Sequence, residues 1–367
     1  MQTITVSQVA SIIESFSPLG LQENYDNAGL AIGSPSTEVK GILIALDVTP
    51  EIADEAIATG CNLIIAHHPI IFNGLKRITG ATLTERIVIK AIQNDIAIYA
   101  AHTNLDSVWG GVSHKMAEKL NLSNIKVLSP ANNQLAKLVT FAPTSAAQKV
   151  RQALFDSGAG NIGNYDSCSY NTEGQGTFRG SESTNPFVGE KGELHFEPET
   201  RIEVIVPKPI ISKVVAALKS VHPYEEVAFD IYPLENKNPK AGLGVIGSLQ
   251  EPLNSDEFLQ HVKTIFNCTQ IKHSNIVKHQ VKKIALCGGS GFSLLNNAIS
   301  QNADIFITAD IKYHGFFETE NKILLVDIGH YESELFAIDI FYELLTKNLP
   351  TFAIRKTSLN TNPINYL

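Results

Sequence analysis

Hydrophobic and polar positions follow two rhythms along this chain. Apolar residues at Val6, Val9, Ile12, Ile13 and Phe16 recur at helical spacing and stop at Pro18, which predicts an amphipathic helix at the start. The run KGILIALDV, residues 40–48, is uninterrupted and β-branched, as a strand buried on both faces must be. TPEIADEAIATG follows with a threonine cap, a proline in the first turn and a closing glycine, the marks of a helix. CNLIIAHHP then returns to strand, so residues 40–69 read as a βαβ unit. A second unit follows, with helix TLTERIVIKAIQND and strand IAIYAAHTNLD.

The same layout returns later. KKIALCGGSGFSLLNNAISQNADIFITADIKYHG, residues 282–315, again runs strand, tight loop, helix, strand and polar cluster. Aligning Asn62 with Asp304 puts LII against IFI and sets His68 opposite Asp310. The next strands match too: His102 and Asp106 in the first copy answer His330 and Glu334 in the second, at one constant offset of 228 residues. A shared offset for two polar residues predicts two similar α/β lobes. In each lobe the polar residues stand just past strand C-terminal ends, where open α/β sheets bind ligands.

Between the lobes the pattern changes. Strand KLVTFAP, helix TSAAQKVRQALFDSG, a Gly- and Ser-rich hairpin holding TFRGS and GELHFE, strand TRIEVIVP, helix KPIISKVVAALKSV and strand EEVAFDIYPL succeed one another. β-α-β-β-α-β is the ferredoxin-like order. The expected organisation is therefore a first α/β lobe over 1–130, an inserted α+β domain over 131–245 and a second α/β lobe over 246–367.

Composition narrows the class. Of 367 residues, 44% are hydrophobic and 18% charged, with net charge −8, so the chain can bury a large core and is expected to be a soluble cytoplasmic protein. The acidic balance argues against nucleic acid or an anionic membrane as partner, since both are bound through clustered Lys and Arg. The short basic stretch KHQVKK reads as the lead-in to a strand. Four separated cysteines, with no C-x-x-C pair, predict reduced and mostly buried thiols.

The polar residues at strand ends are His67, His68, His102, Asp106, Asp310, His314, His330 and Glu334. Imidazole and carboxylate without thiolate suit borderline divalent ions such as zinc, manganese, iron or nickel. His330 and Glu334 lie four apart at the start of a helical pattern, so both reach one face of its first turn. Adjacent His67 and His68 would diverge on a strand, but a turn at Pro69 can bring both to one cavity. His114, His195, His261, His273 and His279 read as structural. CGGSG, residues 287–291, is either a tight turn or a phosphate cradle, and the turn is the simpler reading. HPYEE, residues 222–226, offers His222 and Glu226 but no chemistry legible from sequence.

On ENYDNAGL, IALDVTP, AHHPIIFNGLK, AHTNLD, GGSG, TADIKYH, GHYESE and the ending NPINYL, taken in that order, the chain resembles the Nif3-like (Ngg-interacting-factor-three-like) family over almost its whole length. That resemblance implies the Nif3-like fold of two α/β lobes with a PII-like insert, a homohexameric ring, and a dinuclear metal centre. It places the metal ligands on His67, His68, Asp106, His330 and Glu334, with Glu334 bridging two divalent ions. His102, Asp310 and His314 are then pocket residues, and Asp310 and His314 are the expected proton-transfer pair. The family's members are named GTP cyclohydrolase 1 type 2 homologues, so the resemblance implies metal-dependent hydrolysis of a small molecule or nucleotide. With GTP as substrate, attack at C8 would open the imidazole ring and release formate. A non-catalytic metal-binding regulatory or assembly protein is the alternative, and a nucleotide phosphoesterase a third. Ala309 stands where the family commonly has glycine, which bears on the backbone beside Asp310.

Overall fold

The computed structural model describes residues 3–367. Its first lobe begins with α1 (Val6–Phe16), closed at its N-terminus by a capping box between Thr5 and Gln8. Then come β1 (Gly29–Ile32), β2 (Ile42–Ala45), α2 (Pro50–Thr59), β3 (Leu63–Ala66), α3 (Leu83–Gln93), β4 (Ala97–Ala100) and the short α4 (Thr103–Ser107). The punctuation expected around α2 is present: the Thr49 hydroxyl accepts from Ile52 N–H, Pro50 opens the helix, and Gly60 closes it at φ +71°. α5 (Val112–Lys119) and β5 (Ser123–Ala131) complete this part of the chain.

The chain divides by contact density into residues 1–130 with 240–367, and Ala131–Pro239. The latter unit contains β6 (Leu135–Pro143), α6 (Ala147–Asp156), β7 (Tyr170–Arg179), β8 (Leu194–Pro207), α7 (Ile211–Val221) and β9 (Phe229–Leu234). They form an antiparallel sheet in the order β7-β8-β6-β9. Leu138, Ala142, Ile202 and Val204 point from one face into a core shared with Val150, Leu154, Val214 and Leu218 of the two helices. The sequence reading split β8 into a hairpin arm and a separate strand; the structure makes it one strand, because its ladder with β7 runs without a register shift from Leu194 through Pro198 to Glu203.

The second lobe holds β10 (Asn238–Asn254), which runs across residue 245, then α8 (Ser255–Ile265), β11 (Lys272–His273), β12 (Gln280–Leu286), α9 (Leu295–Ser300), β13 (Ile305–Thr308), β14 (Leu324–Asp327), α10 (His330–Glu334), α11 (Phe336–Asn348) and β15 (Ile354–Lys356). KHQVKK does lead into β12, and Lys278 pairs with Asp304.

The repeat read from sequence is a repeat of structure. β2, β3 and β4 are parallel neighbours in one sheet, and β12, β13 and β14 are parallel neighbours in the other. The first sheet has the order β1-β4-β3-β2-β15, the second β11-β14-β13-β12-β10-β5. β2, β3, β4, β13 and β14 are buried along their full length, because apolar layers cover both faces of each sheet. Phe341 of α11 packs with Val9 and Ile13 of α1 in the core of the first sheet, so both halves of the chain fill one layer. All four thiols are free, and three are buried. Among the described residues no helix is long and apolar enough to cross a membrane.

Candidate metal centre

Parallel strands deliver every polar group of interest to one end. β3 stops at Ala66, and the backbone N–H groups of His67 and His68 both donate to the Leu46 carbonyl, at 3.1 and 3.0 Å. Strand alternation therefore ends before the histidines, and their rings lie with centroids 5.0 Å apart. α4 and α10, five residues each, follow β4 and β14 in the two lobes. The i, i+4 spacing of His330 and Glu334 places Nε2 and Oε2 2.9 Å apart on one helix face.

Three overlapping groups of ligand atoms result: His67, His68 and His102; His68, His330 and Glu334; His67, Asp106 and Glu334. Glu334 is buried and belongs to two of them. Its Oε2 lies 2.8 Å from His68 Nε2 and 3.8 Å from His67 Nε2. The five residues assigned to metal by resemblance are thus brought together, with His102 beside them.

The outer nitrogen of each imidazole is held. His67 Nδ1–H donates to the Ala101 carbonyl at 2.9 Å, His68 Nδ1–H to Asp47 at 2.7 Å, His330 Nδ1–H to Asp310 at 2.7 Å and His102 Nδ1–H to Asp26 at 2.8 Å. Such partners fix the tautomer and leave the Nε2 lone pair for a cation. His67 shows the consequence most plainly. Its Nε2 faces Asp106 Oδ1 across 3.7 Å, and among the described residues neither buried atom has a hydrogen-bond partner. Two buried lone pairs facing each other are costly, and a cation between them would satisfy both. The donor set therefore fits divalent metal.

Electrostatics agree. Burial works against the charged form of His68, but its hydrogen bonds to Asp47 and Glu334 outweigh that and lift its pKa to about 10. His330, also penalised by burial, is raised to about 9 by Glu334 and Asp310. Burial raises Asp106 to about 6, whereas Glu334, despite its burial, is held well below the usual range by the surrounding imidazoles. Burial and the nearby Asp106 and Glu334 push the Cys287 thiol up to about 12, so it stays neutral and adds no thiolate.

Asp310, at φ +56°, follows Ala309, whose N–H donates to the Gly289 carbonyl; alanine at 309 leaves the left-handed turn in place. Asp310 is engaged with His330, and His314 is exposed, its ring against Tyr313 and Phe317 with centroids 5.2 and 6.4 Å away. Asp47 and Asp26 went unread as site residues, although the position of Asp47 just past β2 is the same signal that singled out the histidines. The CGGSG loop is a turn. Its Gly288, Gly289 and Gly291 N–H groups donate to the hydroxyls of Ser113, Ser333 and Thr308 rather than facing outward. Gly289 lies at φ +60°, and a Cβ there would collide with Glu334 Oε1, so the glycine makes room for the carboxylate.

Comparison with known proteins agrees across the whole length. Residues 4–363 match the model of the Duf34/NIF3 (NGG1p interacting factor 3) family. A GTP cyclohydrolase 1 type 2 homolog of Halalkalibacterium halodurans is 40% identical, aligned over 98% of both chains. One from Bacillus subtilis is 36% identical over 100% of both. Among solved structures, a Bacillus cereus protein related to NIF3 is similar with TM-score 0.87 and 39% identity, covering 100% of each chain. A Staphylococcus aureus protein follows at TM-score 0.77 and 28% identity, again over 100% of each.

Proposed function

Starting from a chain that belongs to the Duf34/NIF3 family, we propose that it is a metal-dependent hydrolase whose five ligands hold two divalent cations. His67 and Asp106 would hold one, His68 and His330 the other, and Glu334 would contribute to both. The observation that carries this reading is the unpartnered pair of buried lone pairs on His67 Nε2 and Asp106 Oδ1. Bound there, the cations would supply Lewis acidity and lower the pKa of a water towards neutrality.

The chain's own residues do the rest. Asp47, Asp310 and the Ala101 carbonyl hold three imidazoles in register for binding. The proton-transfer pair expected from sequence was Asp310 and His314. With Asp310 engaged by His330 and His314 exposed, the better-placed group is His102, whose ring centroid lies 5.3 and 5.5 Å from those of His67 and His68 while Asp26 orients Nδ1. Its Nε2 can take and return a proton. Asp26 is suited to this because, burial notwithstanding, the hydrogen bonds of His102 and Thr103 hold its carboxyl well below the usual range.

The relatives named GTP cyclohydrolase 1 type 2 homolog make a purine nucleotide the first substrate to try. Metal analysis by plasma mass spectrometry, on protein purified without chelator, comes first. About two ions per chain, with formate released from GTP and lost in Glu334→Ala, would support the reading; near-zero occupancy after adding zinc, manganese or iron would end it. Release of inorganic phosphate instead would favour the phosphoesterase. Two bound ions with no turnover would favour a metal-binding regulatory protein, which the separate Ala131–Pro239 unit, holding none of the five ligands, also motivates. A homohexamer in the cytoplasm belongs to this proposal; exposed Tyr313 and Phe317, edge to face with centroids 5.4 Å apart, are apolar surface that assembly would cover.

A further inference from the structure

HPYEE finds its place in the Ala131–Pro239 unit, beside a cavity of about 600 Å³. Phe141 and Arg201 line it from positions that alternate with the core residues Ala142 and Ile202, so it opens on the sheet face away from α6 and α7. His222 is buried, donates Nε2–H to the Phe141 carbonyl at 2.9 Å and accepts the Tyr224 N–H on Nδ1 at 3.1 Å. It is a brace for the turn. The turn presents Tyr224, whose ring lies 5.9 Å from Phe178 and 6.4 Å from Phe187. With Phe141, these rings supply the apolar walls of the cavity.

Two glycines of β7 shape the floor. Glycine within a strand weakens it and often marks the close approach of a ligand or another group. At Gly174 a Cβ would meet nothing within 4 Å, and the residue lines the cavity. At Gly176 a Cβ would collide with the Glu199 carboxylate, so its absence lets Glu199 lie across the strand. The Tyr224 hydroxyl donates to Glu199 Oε1 at 2.8 Å, fixing that carboxylate at the cavity wall. Burial and then Glu199 keep the Tyr224 phenol protonated, its pKa well above the ordinary value. The Asn185 N–H donates to Glu225 at 2.9 Å and ties the β7-β8 loop to the same turn.

The charges around the opening select the ligand. Glu173, Glu199, Glu225 and Glu226 outnumber Arg179 and Arg201, a lining that disfavours polyanions. Aromatic walls take a flat ring, and a carboxylate accepts two parallel N–H bonds from one planar edge.

We infer that this cavity binds a small planar nitrogen heterocycle presenting a ring N–H beside an amino group, as guanine and pterins do, without a polyphosphate. The inference does not depend on the metal centre, whose residues lie outside this unit.

Calorimetric titration of the full-length protein tests it, with guanosine, adenosine and GTP as probes. Guanosine should bind, adenosine should bind at least tenfold more weakly because it lacks the ring N–H, and, with the metal centre emptied by Glu334→Ala, GTP should bind no tighter than guanosine. Glu199→Gln should weaken guanosine binding about tenfold or more. Gly174→Val should abolish it, since the added side chain fills open space, while the melting temperature and metal content stay as in wild type. Absence of guanosine binding up to millimolar concentration would overturn the inference. So would guanosine binding that persists in Gly174→Val when Glu334→Ala has emptied the metal centre, or, in Glu334→Ala alone, binding of GTP tenfold tighter than guanosine. A change of sedimentation mass in Gly174→Val would overturn it in favour of contact between copies of the chain.

Discussion

Glu334 Oε2 lies 2.8 Å from His68 Nε2, although 266 residues separate them. The first residue belongs to the second lobe's α10, and the second lies just past the end of the first lobe's β3. Two of the three groups of possible ligand atoms draw on both lobes, and the Glu334 carboxylate belongs to each of those two.

Stoichiometry should separate the two positions. Asp106→Asn removes a ligand charge from one position only, so metal content should fall from about two ions per chain to about one. Glu334→Ala should deplete both. Plasma mass spectrometry on both variants decides this, and an Asp106→Asn protein that keeps two ions would contradict the assignment of ligands.

The carboxylates behind the histidines should matter nearly as much as the ligands. Asp47→Asn and Asp310→Asn leave every metal-binding atom in place but weaken the hold on His68 and His330. Loss of such an outer partner typically costs 10–100-fold in metal affinity. Competition with a calibrated chelator measures it; unchanged affinity in both variants would show that the imidazoles are positioned by packing alone.

Gly289→Ala probes the room made for Glu334. A left-handed φ costs a residue with a Cβ about 1–2 kcal/mol, and the new methyl would also displace the Glu334 carboxylate. Metal content should fall as in Glu334→Ala. A fully metallated variant would mean that the turn can yield.

Acid stability should be governed in part by Glu85. Its Oε2 accepts from Thr79 N–H and Thr79 hydroxyl, each at 2.8 Å, and from Ala81 N–H at 3.0 Å, so it ties down the loop that follows His68. Those bonds, led by the Thr79 N–H, lower its pKa to about 2. A depressed carboxylate stabilises the fold above its unfolded pKa, near 4.3, and the contribution disappears as pH falls towards 2. Glu85→Gln should therefore melt at lower temperature at neutral pH, with the difference from wild type shrinking between pH 5 and 2. Parallel melting curves across that range would remove Glu85 from the account.

What could be read from sequence follows a physical pattern. β2, α2, β3 and β4 were legible because strands buried on both faces must be apolar throughout and their helices carry caps. His67, His68, His330 and Glu334 stood out because polar groups directly after such strands have no packing role. Asp26 escaped because it lies in an irregular segment outside every periodic stretch used to find the site, and it reaches His102 only through the fold. The edges of the sheets escaped for a related reason. The pairing of β1 with β4 and of β15 with β2 joins segments far apart in sequence, and nothing in local periodicity announces a non-local register.

Those edges carry a mechanical consequence. β15, from the end of the chain, pairs in parallel with β2, Ile354 opposite Ile42, while β5, from the first half, finishes the second sheet beside β10. Each lobe is latched by a strand on loan from the other. Hinge opening, which would pull His68 away from Glu334, must first strip an edge strand from a sheet. The two lobes should consequently melt in one cooperative transition, and metal should leave through loosening of the loops around the site rather than through separation of its halves.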